Sequence, residues 1–141
     1  MRRALTDGYE LDDDPARIDP HAVHAYLGGE SYWAAGRPRA VMDELVASAA
    51  RAAGLYDSEG RQVGFARVVS DRHTVSYLAD VYVLAAHRGR GLGLELVRFT
   101  VDEGALAHTK WLLHTRDMHR LYTKLGFVEP GERLLERGPR P

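Results

Sequence analysis

The densest run of residues able to do chemistry is Val81-Tyr82-Val83-Leu84-Ala85-Ala86-His87-Arg88-Gly89-Arg90-Gly91-Leu92-Gly93. A β-branched and aromatic strand there enters a glycine-punctuated turn, which opens directly onto the helical run Leu94–Phe99, an order of parts that holds phosphates. Gly89, Gly91 and Gly93 alternate, so the backbone can bend tightly and converge its N–H groups, Leu92 included, on one anion at the positive end of the helix. Arg88 and Arg90 would flank that anion. A Walker A loop is excluded, because Leu94-Glu95 stands where the phosphate-binding lysine and the magnesium-binding hydroxyl belong. The dinucleotide fingerprint fails as well: the sixth position is Leu94 counted from Gly89 and Leu96 counted from Gly91.

What remains, Arg88-x-x-Gly91-x-Gly93 at a strand-to-helix turn, resembles the pyrophosphate loop of the GNAT superfamily of N-acetyltransferases. Leu121-Tyr122-Thr123-Lys124-Leu125-Gly126-Phe127 matches a second motif of that superfamily at the right distance, and the resemblance extends over residues 60–130. It implies an α+β fold with a mixed central sheet flanked by helices, and acetyl-CoA as acetyl donor. It also implies a pantetheine arm running along Val81, Tyr82 and Val83, and a pyrophosphate on Arg88, Gly89, Arg90, Gly91, Leu92 and Gly93. Tyr122 takes the position of a general acid for the departing thiolate; its alternative is a ring packed on the sheet with the hydroxyl bonded to backbone. Thr115 stands where many members carry an asparagine seven residues before this tyrosine, which puts the cofactor contact of that amide in doubt. Asp80 is the candidate general base, directly or through water, and the alternative for it is pairing with an arginine. An acyl-CoA-binding module without turnover, and a different phosphate ligand, are the competing functions.

The whole chain narrows this further. Its 141 residues suit one domain, spanning 1–141, with a single core. A net charge of −1, from 19 basic and 20 acidic residues, creates no field for nucleic acid or an anionic membrane. No cysteine is present, so disulfides, zinc–cysteine sites and a covalent acyl-cysteine are all excluded, and transfer to the amine would be direct. His21 and His24 share a helical face but have no third ligand, and no metal is expected. The absence of long apolar runs and of a signal-peptide pattern suggests a cytoplasmic protein. The partners are then acetyl-CoA and an amine acceptor, with a small molecule favoured over a protein tail; a homodimer is left open.

The elements that must position these groups follow from pattern. A short strand at Tyr9–Leu11 is stopped by Asp12–Pro15. Asp19 caps a helix starting at Pro20 and ending at Gly28-Gly29. The loop from Gly28 to Pro38 carries Tyr32 and Trp33, either as a staple onto the core or as the wall of a substrate site. A second helix spans 39–51, and strands begin at Leu55, Gln62 and Thr74. On the longest strand, 74–84, strict alternation puts Val75, Tyr77, Ala79, Val81 and Val83 on one face, with Ser76, Leu78, Asp80 and Tyr82 on the other. A helix from Gly91, a strand at Lys110–His114, a helix capped by Thr115 or Asp117 and stopped at Gly126, and extended segments at Phe127 and Arg133–Glu136 complete the order βααβββαβαβ.

Overall fold

The computed structural model describes residues 1–141. Its six strands lie in chain order in one sheet: β1 (Arg2–Ala4), β2 (Glu10–Asp12), β3 (Arg51–Tyr56), β4 (Gln62–Ser70), β5 (Val75–Val83) and β6 (Lys110–Leu113). Neighbours are antiparallel except β5 and β6, which are parallel from Val75 opposite Lys110 to Leu78 opposite Leu113. A parallel neighbour needs a crossover, and helix α3 (Leu92–Asp102) supplies it. α3 packs Leu96, Val97 and Phe99 onto one face of the sheet, against Leu11, Leu55, Val68 and Leu78. Helices α1 (Pro20–Gly29) and α2 (Arg39–Ala47) cover the other face with Val23, Leu27 and Met42, against Phe65 and Tyr82. Each such side chain, fully buried, contributes about 1.5–3 kcal/mol, so both faces of the sheet are fastened. The fold is α+β with a mixed sheet, as the resemblance implied.

Local signals that satisfy backbone groups directly are realised. Asp19 accepts from the N–H groups of His21 (2.9 Å) and Ala22 (3.2 Å), with Pro20 at the first helical position. Neither Thr115 nor Asp117 caps helix α4 (His119–Thr123): its N-cap is Met118, without a side-chain bond, and Thr115 accepts from Met118 N–H (3.0 Å) one turn earlier.

Several expectations are corrected. β1 goes unrecognised in the sequence because its three residues form an exposed edge with no apolar alternation. The second helix stops at Ala47 rather than 51, because residues from Arg51 onward are drawn into the sheet. Arg51 donates to the carbonyls of Phe99 (3.0 Å) and Thr100 (2.8 Å), pairs with Asp13 (3.0 Å) and lies over the Phe99 ring. That one guanidinium satisfies the end of α3, and it outweighs the helix preference of the alanines around it. The segment at Arg133–Glu136 is not a strand: a short 3₁₀ turn occupies Gly131–Arg133, and β6 is the last strand of the sheet. Phe127 likewise joins no strand; its ring meets Tyr122 edge-on, centroids 5.8 Å apart. The observed order is therefore ββααβββαβα.

Candidate active site

Strand β5 does not alternate throughout. Between the pairs Arg67–Ala79 and Phe65–Tyr82, β4 spends one residue and β5 spends two, which is a β-bulge. Asp80 sits in it at φ 55°, a conformation that aspartate tolerates better than most residues. The extra residue inverts the strand. Leu78 packs with the α3 face, whereas Tyr82, four positions on, packs with the α1 face and stacks on Tyr26 with centroids 4.1 Å apart. The bulge also bends β5 away from β6, whose pairing ends at Leu78 and Leu113. Beyond that point the β5 edge at Val81–Val83 is open toward a cavity of about 520 Å³. An open strand edge offers backbone donors and acceptors to an extended ligand.

Val81, Tyr82, Val83, Arg88, Gly89, Gly91, Leu92, Gly93 and Tyr122 all line this cavity. Gly91, the N-cap of α3, lies at φ 75°, where a side chain would be strained, and Gly93 has only Leu121 and Val83 side-chain carbons near the position of a Cβ. The first intrahelical bond is donated by Glu95, so the amides of Leu92, Gly93 and Leu94 are free to meet an anion. The Glu95 carboxylate does not compete for that place, being drawn off by Arg3 (2.8 Å) and Arg98. These features fit a pyrophosphate-bearing ligand with a linear arm. Arg88 turns inward, donating to the Val83 carbonyl (2.8 Å) and the Tyr26 hydroxyl (2.9 Å), so it braces the strand end. Arg90 is exposed and does not line the cavity, so of the expected flanking pair Arg88 alone lines it.

A second cavity, about 460 Å³, adjoins the first and shares Tyr32, Trp33, Val81, Asp117, Met118 and Tyr122 with it. Tyr122 thus stands at the junction. Burial pushes its phenol up to about 12, and its hydroxyl makes no hydrogen bond to the protein. The loop after α1 is both staple and wall. Ser31 ties it down by donating to Leu27 O (2.6 Å) and accepting from Ala34 N–H (3.1 Å), while Trp33 and Tyr32 face the two cavities.

Asp80 is the residue whose candidate role changes most. Its carboxylate accepts from Arg67 Nε (2.8 Å), Arg37 Nη1 (3.0 Å) and Trp33 Nε1 (2.9 Å). Burial alone would raise its pKa, but Arg67 chiefly, with Trp33 and Arg37, holds it below the ordinary carboxylate value. An anion so bound is a poor proton acceptor, and Asp80 takes the pairing alternative. Two groups that sequence reading left aside line the second cavity instead. The Tyr77 hydroxyl and His114 Nδ1 share a hydrogen bond (2.6 Å), and His114 Nε2 meets the Glu136 carboxylate. Tyr77 lies on β5, His114 just past β6 and Glu136 in the C-terminal segment, so no local spacing could reveal them.

No group of three or more His, Cys, Asp or Glu residues could hold a metal ion, and no helix is long and apolar enough to cross a membrane. A larger depression of about 650 Å³, lined by Ile18, Val46, Arg51 and Arg72, shares no residue with either cavity.

Residues 50–129 match the family model of the acetyltransferase (GNAT) domain. A protein from Gibberella zeae named as an acetyltransferase is 30% identical over 143 residues, covering 86% of this chain and 80% of its own length. A rice protein (Oryza sativa subsp. japonica) named as a glucosamine 6-phosphate N-acetyltransferase is 42% identical over 62 residues, which span 43% of this chain and 37% of that one. Among solved structures, a GNAT-family acetyltransferase from Xanthomonas campestris pv. campestris superposes with a TM-score of 0.86 at 34% identity, over 93% of each chain. The matched region contains the bulged strand, the glycine loop and Tyr122, and this chain belongs to the GNAT family of acetyltransferases.

Proposed function

We propose that this protein is an acetyl-CoA-dependent N-acetyltransferase that transfers the acetyl group directly to a primary amine of a small molecule. The observation that carries the reading is the pair of adjoining cavities meeting at Tyr122, one ending at the glycine loop and the other walled by polar side chains. Acetyl-CoA would supply a thioester, whose C–S bond is exchanged for a C–N bond. The amides of Leu92–Leu94 would bind its pyrophosphate, and the open edge at Val81–Val83 would orient its arm, as positioning rather than chemistry.

Two proton movements remain, and the chain has groups for both. Tyr77 accepts a proton from the incoming ammonium as its own hydroxyl proton passes to His114 Nδ1, and Glu136 stabilises the imidazolium. Tyr122 donates to the sulfur as the C–S bond breaks and recovers a proton shed by the nitrogen. Asp80 positions Trp33 and the two arginines without exchanging a proton. The name of the rice relative, acetylation of an amino sugar, supports nitrogen as the acceptor atom.

Thiol release from acetyl-CoA, measured over a panel of primary amines, tests the reading. Amine-dependent release with formation of the N-acetyl product is expected. Tight acetyl-CoA binding with no amine raising release above hydrolysis would instead identify a binding module.

A further inference from the structure

The second cavity holds an unbalanced charge. Asp80 is a single carboxylate, with its side chain 3% exposed, yet two guanidiniums converge on its Oδ2: Arg67, 10% exposed, and Arg37, 22% exposed. Arg67 uses only Nε for that contact, so both of its Nη groups are without a protein partner and open to the cavity that Arg67 lines. At the rim the Arg116 guanidinium carbon lies over the Tyr32 ring, 3.8 Å from its centroid, and the group pairs with no carboxylate. Among the lining residues, three arginines face two carboxylates, Asp80 and Asp117, while the Glu136 charge is engaged by His114. A half-enclosed cation with unused donors is costly unless an anion joins it, and the planar fork of a guanidinium suits a carboxylate or phosphate. Asp117 lies at the junction with Tyr122 and pairs with no cation. The cavity therefore offers both a carboxylate without a cation, Asp117, and guanidinium donors left over at Asp80.

We propose that the acceptor is a small amine that also carries an oxyanion, carboxylate or phosphate, with the oxyanion on Arg67 and Arg37 and the ammonium toward Asp117 and Tyr122. The proposal rests on the acetyltransferase reading for its kinetic arm but not for its binding arm.

The binding arm uses inorganic phosphate, titrated into protein saturated with CoA so that the glycine loop is filled, against chloride at matched ionic strength. Trp33 bonds Asp80 directly, so its fluorescence reports the site, and Trp33→Phe identifies the signal as its own. A saturable change is expected, weakened at least about tenfold by Arg67→Gln, the value of a charge-assisted hydrogen bond. Arg37→Gln, at a more exposed position, should weaken it in the same direction and serves where the first variant folds poorly. The kinetic arm compares glycine with glycinamide, and glucosamine 6-phosphate with glucosamine. The anionic member of at least one pair should show the higher kcat/KM, with the pair identifying the oxyanion, and Arg67→Gln should erase the preference while leaving the KM for acetyl-CoA unchanged. A phosphate response no different from chloride, or neutral amines accepted as well as anionic ones, overturns the proposal. Failure of every amine to release thiol would refute the transferase reading alone, since the phosphate titration then still decides this one.

Discussion

Replacing Tyr122 with phenylalanine isolates the hydroxyl, because the ring keeps its edge-on contact with Phe127 and the hydroxyl has no protein hydrogen bond to lose. Stability should therefore change by less than about 0.5 kcal/mol, since no hydrogen bond is broken and no packing is lost. The effect on turnover can be worked from the two acids involved. The phenol lies at about 12, raised by burial, whereas an ordinary thiol lies near 8.5. Handing a proton to a finished thiolate is thus uphill by about 3.5 pH units, or about 5 kcal/mol. Such a step is too costly to carry alone, so Tyr122 must act while the C–S bond is breaking, as a hydrogen-bond donor to developing charge that the nitrogen reprotonates. A hydrogen bond to a charged group contributes about 1.5–3 kcal/mol, so Tyr122→Phe should lower kcat by about 10- to 150-fold with the Kd for acetyl-CoA little changed. The assay is steady-state thiol release at saturating acetyl-CoA across pH 6–10. Because the neutral phenol persists to about 12, the wild type should show no loss of rate from this group up to pH 10. Turnover within twofold of wild type in the variant would refute the donor role. A wild-type alkaline limb near pH 10 that the variant lacks would refute the raised pKa.

Gly93→Glu should abolish acetyl-CoA binding, by at least about 100-fold in titration calorimetry, since two unit charges about 4 Å apart repel by about 4 kcal/mol at an effective dielectric of 20. Its Cβ would meet Leu121 at 3.4 Å and Val83 at 3.9 Å, ordinary contacts, and an acidic residue in a first helical turn is favourable, so the melting temperature of the free protein should hold or rise; unchanged affinity would show that the loop is not the phosphate site. Asp80→Asn keeps a residue suited to φ 55° but strands two guanidiniums, and chemical denaturation should show a loss of about 3–5 kcal/mol at neutral pH. Because the folded-state pKa of Asp80 is depressed, its contribution is present above the unfolded value near 3.8 and is lost as pH falls below it, so the variant should also show a shallower acid slope. At high pH the sign reverses. Tyr56 and Tyr122 are raised to about 12, and Tyr77 and Tyr82 are raised by burial too, so stability present below pH 10 should decline above it, with tyrosinate absorbance appearing late and together with unfolding.

The glycine loop, its flanking strand and helix, and the Tyr122 motif were legible in the sequence because each is a local device. Alternate glycines, a capping aspartate before proline at Pro20, and a helix-stopping glycine at Gly126 act through backbone geometry within a few residues, and spacing records them directly. Asp80 was legible as a residue, and so was its side of the strand near Tyr82, but not its state. Only tertiary structure brought Arg37 from one loop, Arg67 from a neighbouring strand and Trp33 from the wall onto one carboxylate, and so turned a candidate base into an anchor. The bulge that opens the β5 edge is equally silent in sequence, because period-two alternation assumes a register that one extra residue breaks. Tyr77, His114 and Glu136 come from β5, the end of β6 and the C-terminal segment, and what joins them is the order of strands, which no spacing along the chain encodes. The sequence by itself determined where a phosphate and a thioester could be held. The packing of distant segments decided which side chains share hydrogen bonds at Tyr77 and Asp80 and what charge the second cavity presents, because electrostatic environment is set by neighbours in space.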